Sequence, residues 1–330
     1  MHRPFFSVVV PTYNRLGVLQ RVIAGLEQQA YPAEAYEVIV ISDGSSDGTD
    51  AFLKSYDGTM RLRWLSQANK GPASARNAGV QEAAGEYIVF VDDDLVPEPR
   101  LLEEHARSHH EAGRDVVVLG PLLTPDGFKM APWVRWEQDM LMKQYNAMLR
   151  GDWQASARQF YTGNASLRRS HILAAGGFDE NFRRAEDVEL AYRLSKNGLG
   201  FVFNYEAAGM HFADRSFRAW LNAAYTYGRN DVIFARDRDQ RWLLPTVHRE
   251  FKERHRLIRS LVRACSGRDW STRIASTALK SAADVATMLR FGGLERTAYS
   301  ALFNVQYYHG FLHELDDQHF LSRDLEIKPV

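Results

Sequence analysis

Short apolar runs alternate with amphipathic stretches along the first third of the chain. Residues 6–10 (Phe-Ser-Val-Val-Val) are closed by Pro11, and Leu16, Leu19, Ile23 and Leu26 follow at helical spacing, which predicts a strand and then an amphipathic helix. A second strand is predicted at 37–41, ending in Ser42-Asp43-Gly44-Ser45-Ser46-Asp47-Gly48-Thr49. That density of Gly, Ser and Asp supplies turn chemistry and helix caps, so the next helix is expected to begin near 47–49. A short third strand is expected at 61–65. Asn69-Lys70-Gly71-Pro72 then turns into a helix over 73–84, with Pro in its first turn and Gly85 as its stop. The fourth strand, Ile88-Val89-Phe90-Val91, is apolar throughout, as a strand covered on both faces must be, and it runs directly into Asp92-Asp93-Asp94. A helix over 99–112 and a buried strand over 116–119 complete the series. This alternation is the pattern of a doubly wound, mostly parallel sheet flanked by helices.

The pattern breaks at 121–162, where Trp133, Trp136, Tyr145, Trp153 and Tyr161 stand among methionines. Trp136, Met140, Gln144 and Met148 predict a helix. Either that helix caps the sheet, or its aromatics, Trp133 and Trp136 foremost, form a platform for a sugar or lipid acceptor. Beyond it, residues 165–167 precede a short helix, Gly176-Gly177-Phe178-Asp179-Glu180 is a turn, and 187–196 is a helix stopped by Asn197-Gly198. A last strand is expected at 200–204, with His211 just past it. From 215 onward the chain reads as helices, which divides it into an α/β domain over 1–214 and a helical C-terminal region over 215–330. In that region Phe251, Ile258, Leu261, Val262 and Cys265 share a face opposite Arg249, Lys252, Arg256, Arg259 and Arg263, and Ile274, Ala278, Ala282, Val285 and Leu289 form a second stripe.

Charge refines this division. Forty-one basic residues balance 41 acidic ones over 330 residues, so no global charge argues for nucleic acid. Residues 1–214 hold 22 Lys and Arg against 28 Asp and Glu, and residues 215–330 hold 19 against 13. The basic tail either packs on its own domain with its charges in water or lies on an anionic membrane surface. Cys265 is the only cysteine, which excludes an internal disulfide and a cysteine-based zinc site and suits a reducing compartment. Residues 5–10 are too short for a signal-peptide core, and no run approaches the ~18 apolar residues of a spanning helix. The expected location is cytoplasmic, with a peripheral seat at the inner face of the membrane as the alternative for the tail.

Three adjacent carboxylates at a strand end repel one another unless a proton or a cation neutralises them, and that edge of an open α/β sheet is where ligands bind. If the strand continues, Asp92 and Asp94 project to one side and Asp93 to the other. The pair would suit a hard divalent cation whose shell phosphate completes; the competing reading is a solvated acidic turn. No Gly-x-Gly-x-x-Gly turn follows a strand, which argues against a nicotinamide dehydrogenase.

Val9-Val10-Pro11-Thr12-Tyr13-Asn14, the Asp43 to Thr49 turn, Asn69-Lys70-Gly71 with Arg76, Asn77 and Gly79, Asp92-Asp93-Asp94, and Gly176-Gly177-Phe178-Asp179-Glu180 with Glu186-Asp187 occur in that order. Together they resemble glycosyltransferase family 2, enzymes of the GT-A fold, a Rossmann-like mostly parallel sheet, which move a sugar from a nucleotide diphosphate donor. The resemblance covers residues 5 to about 212 and leaves the C-terminal helices unassigned. It implies that Asp94 is a ligand of Mn2+ or Mg2+, that Asp92 stands between ribose and metal, and that Asp93 belongs to the same donor-binding turn. His211 stands where some relatives place a further ligand, which would favour Mn2+; the alternative is a structural histidine. Asp43 is implied to accept an N–H of the base, as a uracil imide can donate, or else to be a turn residue. Pro11, Thr12 and Tyr13 would pack around the base, and Lys70 and Arg76 would meet the diphosphate near a helix start. Asn77 and Gly79 serve close packing.

Gly163 and Asn164 are implied to line the donor-sugar and acceptor pocket. Asp187 is the implied general base, with Glu186 steering the acceptor or supporting the base; a cap of the helix is Asp187's other reading. One base and no protein nucleophile give a single displacement with inversion. The implied partners are a nucleotide-sugar donor, a UDP-sugar first, and a saccharide or glycolipid acceptor, with a homo-oligomer left open. Two alternatives compete. A catalytically silent sugar-nucleotide binding module would keep Asp43 and Asp94 but has no use for Asp187, and a phosphatase with an aspartyl nucleophile would place its acids on the first strand.

Overall fold

The computed structural model describes residues 3–265 and 268–323. The chain divides into two compact units, one formed by 1–129 and 140–213 and the other by 130–139 and 214–330. The division anticipated after residue 214 thus falls one residue earlier, and the segment 130–139 goes with the helical unit.

The strands of the first unit are β1 (Phe6–Thr12), β2 (Tyr36–Asp43), β3 (Leu62–Gln67), β4 (Tyr87–Val91), β5 (Leu95–Pro97), β6 (Val116–Leu119), β7 (Leu122–Leu123), β8 (Asn164–Arg168), β9 (Gly200–Phe203) and β10 (Gly209–His211). Its helices include α1 (Leu16–Glu27), α2 (Thr49–Lys54), α3 (Pro72–Glu82) and α4 (Leu101–Glu111); α5 (Pro132–Leu149) is counted partly in each unit, and α6 (Arg169–Ala174) and α7 (Glu186–Lys196) follow. Seven strands form one sheet in the order β3-β2-β1-β4-β8-β6-β9. Strand β1 pairs in parallel with β2 and with β4, setting Val9 beside Ile39 and Phe90. These strands are buried along nearly their whole length, which explains why their sequences are continuously apolar instead of alternating.

The sheet is not wholly parallel. Strand β8 enters between β4 and β6 and runs antiparallel to both, placing Asn164 opposite Val91. Gly163 therefore arrives beside the end of β4, where its carbonyl accepts the Asp92 N–H at 3.3 Å. A second sheet, in the order β5-β10-β7, sets His211 opposite Leu95 and lets the Phe212 N–H donate to the Asp94 carbonyl at 2.8 Å. This small sheet brings a residue from the far end of the unit to the acidic turn.

Helix α3 lies hard against β1. A Cβ on Gly79 would stand 2.4 Å from Val9 Cγ1, and Asn77 exchanges two hydrogen bonds with the Phe178 backbone at 2.9 and 2.8 Å, so both residues serve the close packing expected of them. Gly79→Ala is expected to cost about 1–3 kcal/mol through overpacking, read as a lower urea midpoint; an unchanged midpoint would show that β1 can yield.

The second unit contains the start of α5 with α8 (Phe217–Asp237), α9 (Leu243–Glu253), α10 (Arg256–Cys265), α11 (Asp269–Met288) and α12 (Gly292–Leu315). Helices α8 and α12 cross at glycines, since a Cβ on Gly228 would meet Tyr307 O at 1.9 Å and one on Gly310 would meet Tyr225 O at 2.0 Å. Val232, Val247, Phe251, Val262, Cys265, Tyr308 and Phe311 make its core. The apolar face expected on the basic 251–265 stretch is therefore turned into this unit. Among the described residues no helix is long and apolar enough to cross a membrane.

Candidate active site

The carboxyl ends of β1, β2 and β4 meet at one edge of the sheet. Asp43, the last residue of β2, is buried. Its Oδ1 accepts the Lys70 N–H at 2.9 Å and Gln67 Nε2 at 2.8 Å, and its Oδ2 accepts the Gly71 N–H at 2.8 Å. The carboxylate thus fixes the turn that launches α3, and Oδ2 keeps one lone pair for a ligand donor. Gly71 takes φ +96°, a left-handed value that glycine adopts without strain. The Lys70 side chain and Tyr13 are exposed at this edge, and Pro11 is half-buried.

Strand β4 ends at Val91, not beyond it. The chain turns at once, with Leu95 N–H donating to the Asp92 carbonyl at 3.1 Å, so the condition for alternation of the three acids, a strand that continues, is not met. Instead Asp93 and Asp94 share one cation. Arg15 Nη1 lies 3.2 Å from Asp93 Oδ1 and 2.5 Å from Asp94 Oδ2, while the Thr12 hydroxyl donates to Asp93 Oδ2 at 2.7 Å. His211 Nε2 stands 3.4 Å from Asp94 Oδ1. Burial pushes Asp93 up to about 6, with Arg15 opposing it. Burial also works against ionised Asp94, but His211 and Arg15 outweigh it and hold that carboxyl at about 2.

Arg76 of α3 is buried and bridges two elements. Nη2 reaches Asp92 Oδ1 at 2.8 Å and Nη1 reaches Glu186 Oε1 at 2.7 Å, with the guanidinium 5.9 Å above the Phe178 ring. Burial alone would lower its pKa; Asp92, Glu186 and Asp187 together outweigh burial and raise it. Helix α7 begins with Glu186 and Asp187 after Ala185 at φ +61°, a backbone value uncommon for a residue with a side chain. Asp187 is half-buried and its Oδ1 accepts the Val188 N–H at 2.8 Å. Burial, and then the negative charge of Glu186, push its carboxyl up to about 7 against the pull of Arg76. A carboxylate so placed is poised near neutral pH, as a general base should be.

The motif set, the sheet and this cluster agree with one family. The family model described as "Glycosyl transferase family 2" matches residues 7–174. The chain belongs to glycosyltransferase family 2.

Among the chain's relatives, validoxylamine A glucosyltransferase of Streptomyces hygroscopicus subsp. jinggangensis is 31% identical over 237 residues, which cover 63% of this chain and 56% of that protein. The chain thus spans about half the length of the validoxylamine A glucosyltransferases it matches. Glycosyltransferase AglE of Haloferax volcanii is 27% identical over 250 residues, 74% of this chain and 76% of AglE. In fold, the chain is similar to the mannosyltransferase PcManGT of Pyrobaculum calidifontis in complex with GDP-Man and Mn2+ (TM-score 0.62, 19% identity, 96% of this chain and 88% of that one). It is also similar to residues 1–349 of S. aureus TarS in complex with UDP-GlcNAc (TM-score 0.58, 18% identity, 95% and 92% covered).

Most of the anticipated site residues of this family 2 member gather at the one edge: Thr12, Asp43, Arg76, Asp92, Asp93, Asp94, Gly163, Glu186, Asp187 and His211. Three placements differ from expectation. Asn164 does not line the pocket with its side chain: Nδ2 donates to Pro121 O at 3.1 Å and Ala207 O at 2.7 Å, and Oδ1 meets His105 Nε2 at 3.0 Å. His105 Nδ1 and His109 Nε2 both meet the Ser166 hydroxyl at 2.8 Å, and burial first of all lowers the two imidazoles to about 4 and about 3, so this interior chain is neutral. Trp136 is no acceptor platform, because its ring is buried against Trp220 at 5.7 Å and Phe303 at 5.2 Å. Trp133 likewise packs within the helical unit, 5.3 Å from Phe217, and donates its indole N–H to Arg215 O at 2.7 Å. Arg15 was not anticipated; its only signal in the sequence is a cation directly after the Pro-Thr-Tyr-Asn run.

For a divalent ion the donor set is Asp94 and His211, a carboxylate oxygen and an imidazole nitrogen, which suits Mn2+ and, less well, Mg2+. His211 Nδ1 is buried without a hydrogen-bond partner, which leaves Nε2 as the nitrogen turned toward Asp94. Among the described residues no three His, Cys, Asp or Glu converge as a closed cage. Such a partial set fits an ion that shares its shell with a ligand's phosphates.

Proposed function

We propose that the enzyme moves a sugar from a UDP-sugar to a hydroxyl of a saccharide or lipid-linked acceptor, with inversion at the anomeric carbon. The observation that carries this reading is Arg76, a single guanidinium that ties Asp92 on the donor side to Glu186 at the start of the helix bearing Asp187. Asp187 takes the proton of the acceptor hydroxyl as its oxygen bonds to the anomeric carbon. The bond from that carbon to the diphosphate oxygen breaks, and the electron pair leaves with the diphosphate. Asp94 and His211 would hold Mn2+ or Mg2+, which when bound neutralises charge on the leaving diphosphate. Arg15, already at Asp93 and Asp94, adds positive charge at the same turn. The free lone pair on Asp43 Oδ2 suits the imide N–H of uracil. The UDP-GlcNAc complex of one structural relative and the GDP-Man and Mn2+ complex of another support a metal-assisted nucleotide-sugar donor.

A panel of UDP-sugars with Mn2+ and simple glycoside acceptors tests this reading. UDP release with one donor and a product of inverted anomeric configuration by NMR is the expected result; retained configuration would overturn the single-displacement mechanism. Asp94→Ala is expected to weaken Mn2+-dependent UDP binding by at least ~10-fold, as for loss of a principal ligand. Equal UDP affinity in that variant would remove Asp94 from the metal site. The setting we propose is surface polysaccharide or glycolipid assembly.

A further inference from the structure

Helix α11 packs one large apolar residue, the partly buried Leu279, on the core and leaves most of the others outside. The positions it buries are Thr272, Ser276, Ala283 and Ala286, all small, whereas Trp270, Ile274, Val285 and Met288 are 61%, 63%, 50% and 74% exposed. At 100° per residue these four fall within about 60° of one another, so they make one continuous face. Leu289, Phe291 and Leu294, also exposed, extend it through the turn into α12. A surface helix ordinarily turns its large apolar residues inward, and an exposed apolar band of this length marks a contact surface.

The charges around the band select what covers it. Between residues 254 and 296 the sequence has nine Lys or Arg against three Asp or Glu. Each of those acids already faces a cation or an imidazole: Asp269 lies 3.3 Å from His309, Asp284 2.5 Å from Lys280 and Glu295 2.7 Å from Arg135. Arg268, Arg273 and Arg290 are exposed, flank the band at both ends, and form no ion pair among the described residues. Two copies of the chain joined through this face would bring cationic rims together. An anionic lipid surface would instead neutralise the arginines while its interfacial zone takes up Trp270 and the aliphatic side chains.

We infer that the α11 face of the helical unit docks on an anionic membrane surface. This goes beyond the sugar-transfer reading and does not depend on it. It also differs from attachment through the basic 251–265 stretch, whose apolar side is already core.

The test uses the full chain with phosphatidylcholine vesicles, with and without phosphatidylglycerol. Cosedimentation with the anionic vesicles at low salt, lost in high salt, is expected. The pair Ile274→Glu and Met288→Glu should reduce partitioning by at least ~10-fold, and Arg268→Glu, Arg273→Glu and Arg290→Glu together by as much or more. Because all five side chains are exposed, circular-dichroism melting should match the parent and exclude misfolding as the cause. Sedimentation velocity should find a monomer throughout. A parent protein that stays in the supernatant with anionic vesicles at low salt would overturn the inference. So would a dimer that Ile274→Glu with Met288→Glu disperses, since the face would then belong to a second copy.

Discussion

Asp187→Asn is expected to lower sugar transfer by ~10²–10⁴-fold while leaving UDP affinity unchanged, because the amide keeps the shape of the helix start but cannot take the acceptor proton. The same substitution has a signature in stability. Burial and Glu186 raise the Asp187 carboxyl to about 7, above its unfolded value of about 4, so the fold prefers the protonated acid. That preference contributes fully below pH ~4 and is lost as pH rises through ~7, so ionised Asp187 costs the wild type about 2 kcal/mol at pH 8 once partial exposure is allowed for. The Asn variant should therefore melt higher than the wild type at pH 8, with the gap closing toward pH 4. Transfer by the wild type should rise with pH through the same region as the base ionises. Parallel melting curves for the two proteins across that range, or full transfer by the variant, would remove Asp187 from the role.

Arg76→Met should cost about 3–5 kcal/mol, the largest loss expected of any single change at the site, because it leaves a partly buried Asp92 and a buried Glu186 with no cation between them. It should also push Asp187 further up, since Arg76 is the group that pulls it down. Urea denaturation measures the first effect, and the pH dependence of residual transfer measures the second. Adding Glu186→Gln should recover part of the stability, because it removes one of the two stranded charges. A loss below about 1 kcal/mol would mean that solvent reaches these acids and that the bridge has little structural weight.

Legibility in the sequence followed a physical division. Continuously apolar runs such as 88–91 announce strands covered on both faces, and the caps and glycines between them announce helices, so β1 to β4, α1 to α4 and β6 were readable to within a few residues, while the three-residue β5 was not. Direction was not. Ala165, Ser166 and Leu167 look the same in a parallel or an antiparallel strand, and only pairing reveals that β8 runs against its neighbours and delivers Gly163 to Asp92. Strands of two or three residues, such as β7 and β10, are too short for any periodicity, which is why His211 could be placed only by resemblance. The acids are a different case: their alternation holds only in a strand that continues, and the sequence does not show that the chain turns after Val91 and hands Asp93 and Asp94 to Arg15. Trp136 illustrates the remaining difficulty. An aromatic at helical spacing has the same sequence signature whether it stacks on a sugar or, as here, meets Trp220 edge-to-face in the core.

We propose the acidic turn after β4 as a metal-assisted site for a nucleoside diphosphate. Calorimetric titration of UDP into the protein, with Mn2+ and then with EDTA, tests it most directly. Saturable binding with Mn2+ that weakens by at least ~10-fold in EDTA is the predicted result. No binding in either condition, or binding indifferent to the metal, would contradict it.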